Sequence, residues 1–119
     1  MPCMGDNTDA TVTEREYCLD AAKKCVCQDR NNQYGEPEDS FKMIADFWSN
    51  YLGYPINTVD VAMMMALLKI ARVAASKNRL GTADSYIDLA GYAACGAEAA
   101  KKLKTQIIMD RGGIVNETA

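Results

Sequence analysis

Four charged residues lie in otherwise apolar sequence, and they are the side chains best placed to do chemistry. Val61–Leu68 is an unbroken apolar run, and Lys69 and Arg72 follow it three residues apart, on one face of a helix. Asp84 and Asp88 follow the next loop, four residues apart, so they also share a face. Charges close to a core have to be paired or used in function.

Two interpretations of these charges are open. If their helices form an antiparallel hairpin, Lys69 and Arg72 form salt bridges with Asp84 and Asp88 and lock the two helices together. Alternatively, Arg72 binds a phosphate group through its planar guanidinium, and Lys69 binds it as a mobile charge. The two carboxylates would then hydrogen-bond to ribose or base, or hold Mg²⁺ with its waters. The second interpretation predicts an anionic, phosphorylated ligand.

Two tyrosines and a tight turn are further candidates for the site. Gly35 allows a tight turn before Pro37, which begins a helix whose free N–H groups attract anions. Tyr34 either stacks on a base or packs on the protein as part of an ordinary loop. Tyr92 lies four residues after Asp88, on the same helical face, and it either stacks on a base or packs in the core.

The composition excludes several classes of function. The chain has no histidine, which removes the usual general base and the commonest transition-metal ligand. It therefore excludes a histidine-dependent hydrolase and leaves only metal-assisted or carboxylate chemistry. The net charge of −3, with both signs mixed along the chain, argues against a general DNA or RNA binder. No apolar stretch of about eighteen residues is present, so we expect no membrane span.

The cysteine pattern predicts reduced thiols in a cytosol, because the number is odd and the spacing forms no regular framework. The five cysteines are Cys3, Cys18, Cys25, Cys27 and Cys95. The spacing of Cys25 and Cys27 does not suit a zinc-binding pair.

Helical periodicity predicts an all-α chain, a bundle of four helices. The predicted helices run from Thr13 as N-cap to about Asn31, from Pro37 to Leu52 before Gly53, over Val59–Ala75, and from Asp84 or Ser85 to about Asp110. Residues 1–119 form a single domain, with a flexible tail over residues 1–12 and a frayed C-terminus over residues 112–119.

Small residues in the fourth helix indicate that another helix approaches its backbone closely, since glycine costs a helix about 1 kcal/mol against alanine. The approaching helix belongs either to this chain or to a second copy. We expect a homo-oligomer with Trp48, the methionine run Met63–Met65 or the face of Gly91 and Gly96 at an interface.

Several segments resemble a family of small phage and prophage proteins of unassigned function. They are Tyr34–Phe41, Ile44–Gly53, Asp60–Ala62, Leu67–Arg72 and Asp84–Ala93, and the resemblance covers about residues 33–98. The Leu-Lys-Ile-Ala-Arg and Asp-Leu-Ala-Gly-Tyr-Ala segments also resemble a nucleotide-modification-associated phage domain. More distantly, the pattern is similar to the MazG-type all-α nucleoside triphosphate pyrophosphatases.

The MazG-type resemblance implies a helical oligomer, Mg²⁺ and nucleotide substrates. Those enzymes hold Mg²⁺ with a Glu-x-x-Glu motif followed by Glu-x-x-Asp, and this chain has neither in that order. The departure favours nucleotide binding over hydrolysis. We therefore predict no catalytic residue and no certain cofactor, with Mg²⁺ as the candidate ion. The predicted ligand-binding residues are Lys69, Arg72, Tyr34 and Gly35, with polar or Mg²⁺ contacts from Asp84, Asp88 and Tyr92.

The predicted function follows by analogy with other small phage proteins. A phage-encoded protein that binds a nucleotide-derived signal, such as a cyclic nucleotide or an ADP-ribose derivative, without cleaving it would sequester a host immune signal. This anti-defence role would operate in the cytoplasm of the infected or lysogenic host. The alternatives are a divergent Mg²⁺-dependent nucleoside triphosphate pyrophosphatase and an interaction protein without a small ligand.

Overall fold

The structure, a computed structural model, describes residues 12–29 and 37–112, and helices account for most of them. In chain order the α-helices are α1 (Glu14–Lys24), α2 (Pro37–Leu52), α3 (Thr58–Ala74) and α4 (Ala83–Asp110). No β-strand occurs within these two ranges, so the all-α prediction is confirmed. The predicted flexible tail and frayed C-terminus lie outside the described residues, apart from Val12 and Gly112.

The end of the first helix differs from the prediction. Thr13 caps α1 as predicted, since its hydroxyl oxygen accepts the N–H of Glu16 at 3.2 Å. The α-helical turns stop at Lys24 instead of continuing to about Asn31, and a π-helical turn covers Cys25–Asp29. Within that wider turn, Cys25 is buried against α4 and the neighbouring Val26 also packs on the core. The α-helical part of α1 therefore ends where the chain begins to pack against α4. The periodicity of the α1 sequence gives no signal of that contact.

The ends of α2 and α3 agree with the sequence signals. Pro37 begins α2, and Gly53 follows its last residue with φ +66°, the left-handed conformation expected of a C-terminal glycine. Asn57 caps α3 through a capping box, because its side chain accepts the N–H of Asp60 at 2.9 Å and Asp60 accepts the N–H of Asn57 at 3.0 Å.

The long helix α4 packs against both α3 and α1, and α2 packs against α3. A β-carbon added at Gly91 would lie 2.9 Å from Val26 Cγ1, and one added at Gly96 would lie 2.8 Å from Met63 Cε and 3.3 Å from Ala62 Cβ. The sequence left open whether the close approach involves this chain or a second copy. In the structure the approach at both glycines is made within the chain.

Two clusters of buried side chains form the core, and α4 contributes to both. One cluster contains Phe41, Ala45, Val61, Ala62 and Cys95, and the other contains Ala21, Ala22, Cys25 and Ile87. Trp48 is half-buried at the edge of the first cluster. Since α3 and α4 run antiparallel and are consecutive, the end of α3 and the start of α4 lie together, which places the four candidate charges at one end of this hairpin.

The cysteines correct one prediction. Cys18, Cys27 and Cys95 form no disulfide, as expected of reduced cysteines, but Cys25 is disulfide-bonded. The expectation of a fully reduced set is therefore wrong for Cys25.

Candidate functional site

The connection between α3 and α4 is an ordered turn held by side chains at both of its ends. Residues 76–83 connect the predicted third and fourth helices, and the structure places a 3₁₀ turn in this connection at Lys77–Arg79. The Ser76 hydroxyl donates to the Val73 carbonyl at 2.7 Å and accepts the Gly81 N–H at 2.8 Å. Tyr86 on α4 donates its hydroxyl to the Leu80 carbonyl at 2.6 Å. These hydrogen bonds fix the geometry of the connection and therefore the direction in which the chain enters α4.

The backbone of this turn has three residues in the left-handed region. Asn78 and Arg79 have φ of 58° and 59°, and Gly81 has φ +73°. Left-handed conformations cost a residue with a β-carbon roughly 1–2 kcal/mol, so two in succession need support from their surroundings. At Gly81 a β-carbon would also lie 2.8 Å from Val73 Cγ2, so the turn requires glycine there for space as well as for conformation.

Lys69 and Asp88 form a buried ion pair between α3 and α4. Lys69 Nζ lies 2.9 Å from Asp88 Oδ2, and the two side chains are 10% and 12% exposed. Removing both charges from water is costly, and their attraction and hydrogen bond offset that cost only while both partners are present. For this pair, the structure has the salt bridge that the first interpretation of the sequence predicts.

Arg72 and Asp84 do not complete a second salt bridge. Arg72 is exposed and Asp84 is half-buried, and neither takes part in an ion pair within residues 12–29 and 37–112. The three-residue spacing brings Lys69 and Arg72 to neighbouring positions on α3, and the structure separates them by depth. Lys69 lies under α4, whereas Arg72 lies at the edge of the hairpin.

Two further cations at this end were not identified from the sequence. Lys77 and Arg79 lie in the turn directly after α3, and both are exposed. Their short distance along the chain from Arg72 was the available signal, but a polar loop alone does not distinguish a solvated turn from a ligand site. The hairpin end therefore carries three exposed cationic side chains, from Arg72, Lys77 and Arg79, and the first turn of α4 adds the half-buried Asp84.

The remaining candidate residues lie elsewhere or outside the described chain. Tyr92 is half-buried and its ring stacks on Phe41, with centroids 6.3 Å apart and planes at 29°. This is the core position that was one of its two sequence interpretations. Tyr34 and Gly35 lie outside the described residues. The structure thus brings Lys69, Arg72, Asp84 and Asp88 to one end of the hairpin and places Tyr92 against the core.

No carboxylate cluster able to hold a metal ion is present in the part of the chain that the structure describes. There, no group of three or more histidine, cysteine, aspartate and glutamate side chains lies together. Asp88 accepts from Lys69, and Asp84 is the member of the predicted carboxylate pair without an ion-pair partner among the described residues.

Two phage proteins are similar to this chain over about two thirds of its length. The Gene 55 protein of Mycobacterium phage D29 is 44% identical over 80 residues, which cover 67% of this chain and 51% of that protein. The Gene 55 protein of Mycobacterium phage L5 is 36% identical over 76 residues, which cover 63% of this chain and 47% of that protein. The chain therefore spans about half the length of these relatives. No solved structure matches it significantly.

The fold and these relatives define an all-helical protein of phage type. None of its described helices has the length and apolarity needed to cross a membrane. The chain belongs to the family described as Domain of unknown function (DUF6378), which matches residues 17–100. The predicted resemblance to small phage proteins of unassigned function is thereby confirmed. The more distant resemblance to MazG-type enzymes is not shown by these matches and stays a prediction.

Proposed function

We propose that the protein binds a phosphorylated, nucleotide-derived small molecule at the end of the α3–α4 hairpin and does not cleave it. The observation that carries this proposal is the exposed Arg72, which has no ion-pair partner among the described residues although it lies one turn from the buried pair of Lys69 and Asp88. A guanidinium with five N–H donors in a planar fork suits the oxygens of a phosphate group.

The surrounding charges support an anionic ligand. Lys77 and Arg79 add two exposed cations to the end that carries Arg72, in a chain whose net charge is −3. A local excess of positive charge on an acidic protein attracts anions to that place. Asp84, half-buried in the first turn of α4, offers carboxylate oxygens to ribose hydroxyls or to a base N–H.

The buried ion pair serves this site by holding the two helices in register. Lys69 and Asp88 join α3 to α4 next to the turn, so the positions of Arg72 and Asp84 depend on a contact that is shielded from water. A preorganised pair of helices loses little conformational entropy when a ligand binds. Lys69 acts here as a positioning residue, since its ammonium already donates to Asp88.

The biological role that fits this chemistry is sequestration of a host signal. A phage protein that retains a cyclic nucleotide or an ADP-ribose derivative in the cytoplasm of an infected or lysogenic host would remove that signal from its receptor. The similarity to phage proteins and the basic end of the hairpin support this role.

Two alternatives compete with this proposal. In a divergent Mg²⁺-dependent pyrophosphatase, Asp84 and Asp88 would hold the ion, and Asp88 would have to leave Lys69. In an interaction protein without a small ligand, the charges would be purely structural, and the direct contact of Lys69 with Asp88 is the observation that favours this reading.

A nucleotide panel tests the proposal by thermal shift and titration. A ligand that binds the folded state raises the melting temperature by mass action, so linear and cyclic nucleotides and ADP-ribose are compared at matched concentrations. For the ligand with the largest shift, we expect Arg72→Ala to raise the dissociation constant about ten- to a hundred-fold, the usual cost of a lost charge-assisted hydrogen bond. Arg15→Ala, which removes an exposed arginine on α1, is the matched control and should bind like the unmodified protein.

The alternatives give different results in the same experiments. Release of pyrophosphate or monophosphate with Mg²⁺, abolished by Asp84→Ala, would establish the enzyme, since Asp84 has no ion-pair partner among the described residues whose loss would destabilise the fold. A panel without any thermal shift, or equal affinity of the Arg72→Ala and Arg15→Ala variants, would contradict ligand binding at the hairpin end.

A further inference from the structure

The helix α3 is apolar on all sides, including the side that faces away from the rest of the chain. Between Val61 and Ala74 its charged residues are Lys69, which is buried, and Arg72. The side opposite the core exposes large apolar side chains, which we term the outer face of α3. They are Met63, Met64, Leu67, Leu68 and Ile70, between 39% and 61% exposed.

This pattern is typical of a helix that is covered on both sides. A surface helix of a monomer carries polar residues opposite its core stripe, whereas a helix that is apolar all round lies inside a larger structure. In this chain, α4 and α2 cover one side of α3. Neighbouring α2 adds an exposed apolar stripe of its own at four-residue spacing, formed by Met43, Phe47 and Tyr51 at 60%, 65% and 89% exposure.

The exposed area is large enough for a stable interface. From these exposures, the outer face offers roughly 450 Å² and the α2 stripe a similar amount, against about 800 Å² per partner in a standard interface. The largest apolar patch of a typical monomer is about 300–600 Å². Burying this surface would stabilise an assembly, and leaving it in water would promote aggregation.

We propose that the outer face of α3 and the neighbouring α2 stripe together form the contact between two copies of this chain, packed with their α3 helices antiparallel about a two-fold axis. An isologous contact uses the same patch on both copies, and an apolar patch is complementary to itself. Antiparallel α3 helices also place the positive end of each helix dipole beside the negative end of the other.

The interface and the proposed ligand site use different sides of α3 and do not depend on each other. Arg72 lies about 140° around the helix from Leu67, at the centre of the outer face, and therefore outside that face. The contact buries apolar side chains with or without a ligand. A failure of ligand binding therefore leaves the interface untouched, and the two are tested with different variants.

Light scattering on the full chain over a range of concentrations tests the interface. We expect an assembly of at least two 13.0 kDa chains, and we expect Leu67→Glu to return it to a monomer by raising the dissociation constant at least a hundred-fold. The matched control is Leu19→Glu on α1, because Leu19 and Leu67 are 64% and 61% exposed in the single chain. The control should assemble like the unmodified protein.

Two readouts keep the test decisive. Circular dichroism should show unchanged helix content for Leu67→Glu, and Ile70→Glu, also on the outer face, provides a second variant if Leu67→Glu does not fold. A monomeric unmodified protein, or an assembly that survives both substitutions, would overturn the proposal. Equal disruption by Leu19→Glu would overturn it as well, since that residue lies outside the outer face.

Discussion

The helix α4 forms an ion pair with α3 near its start and an ion pair with α2 farther along, and these two pairs between helices differ in burial far more than in geometry. Near its start, Asp88 pairs with Lys69 at 2.9 Å, with the two side chains 12% and 10% exposed. Farther along, Lys102 pairs with Glu38 of α2 at 2.7 Å, with the side chains 45% and 50% exposed. The shorter distance belongs to the pair in contact with water.

The difference shows that burial decides what an ion pair contributes. Water screens the charges of Lys102 and Glu38, and both can be solvated when they separate, so an exposed pair of this kind stabilises little. When one charge of the pair Lys69 and Asp88 is removed, the other is left buried without compensation, so each residue fixes the place of the other. The buried pair near the α3–α4 turn therefore specifies how these two helices pack, whereas the exposed pair of Lys102 and Glu38 tolerates change.

The largest expected effect on stability is the loss of one charge of the buried pair. Asp88→Ala should lower the free energy of unfolding by about 3–5 kcal/mol, because it leaves the Lys69 ammonium buried without its carboxylate. Replacing both charges, by Lys69→Met together with Asp88→Leu, should recover most of that loss. Urea denaturation at fixed protein concentration measures both. A double variant as unstable as Asp88→Ala would mean that the contact matters for more than charge compensation.

A smaller loss of stability is expected from a change in the turn between α3 and α4. Gly81→Ala should cost about 2–3 kcal/mol, since the residue adopts φ +73° and its new β-carbon would meet Val73 Cγ2 at 2.8 Å. Gly53→Ala is the matched control, with φ +66° and no atom within 4 Å of the added carbon. It should cost about 1 kcal/mol, the conformational part alone. Equal losses in the two variants would show that the turn relaxes without cost.

The smallest effect is expected at the exposed pair. Its hydrogen bond to Glu38 raises the pKa of Lys102 above the usual value of 10.5. A raised lysine pKa contributes stability that is fully present below pH 10.5 and is lost as the pH rises through the raised value. Glu38→Gln should therefore lower the melting temperature only slightly at neutral pH, far less than Asp88→Ala does. The small loss of melting temperature caused by Glu38→Gln should shrink with added salt and vanish at strongly alkaline pH. A neutral-pH loss as large as that of Asp88→Ala would contradict the role assigned to burial.

The helices and most of their ends could be predicted because their signals are local. Thr13, Pro37, Gly53 and Asn57 act through hydrogen bonds and dihedral angles within a few residues of themselves, so their roles can be predicted before any tertiary contact is known. The end of α1 could not be predicted in this way, because the π turn at Cys25–Asp29 packs against α4, more than fifty residues later in the chain.

For the candidate site, the sequence by itself determined that two cations and two carboxylates would meet at one end of a helical hairpin, since periodicity and a short connection require it. The tertiary structure alone decided that Lys69 and Asp88 close on each other while Arg72 and Asp84 stay open. It also decided which side of α3 is covered by α4 and which side leaves apolar side chains exposed. Spacing along a helix fixes direction, whereas depth depends on what packs above each residue, and that is set by chain segments far away in the sequence.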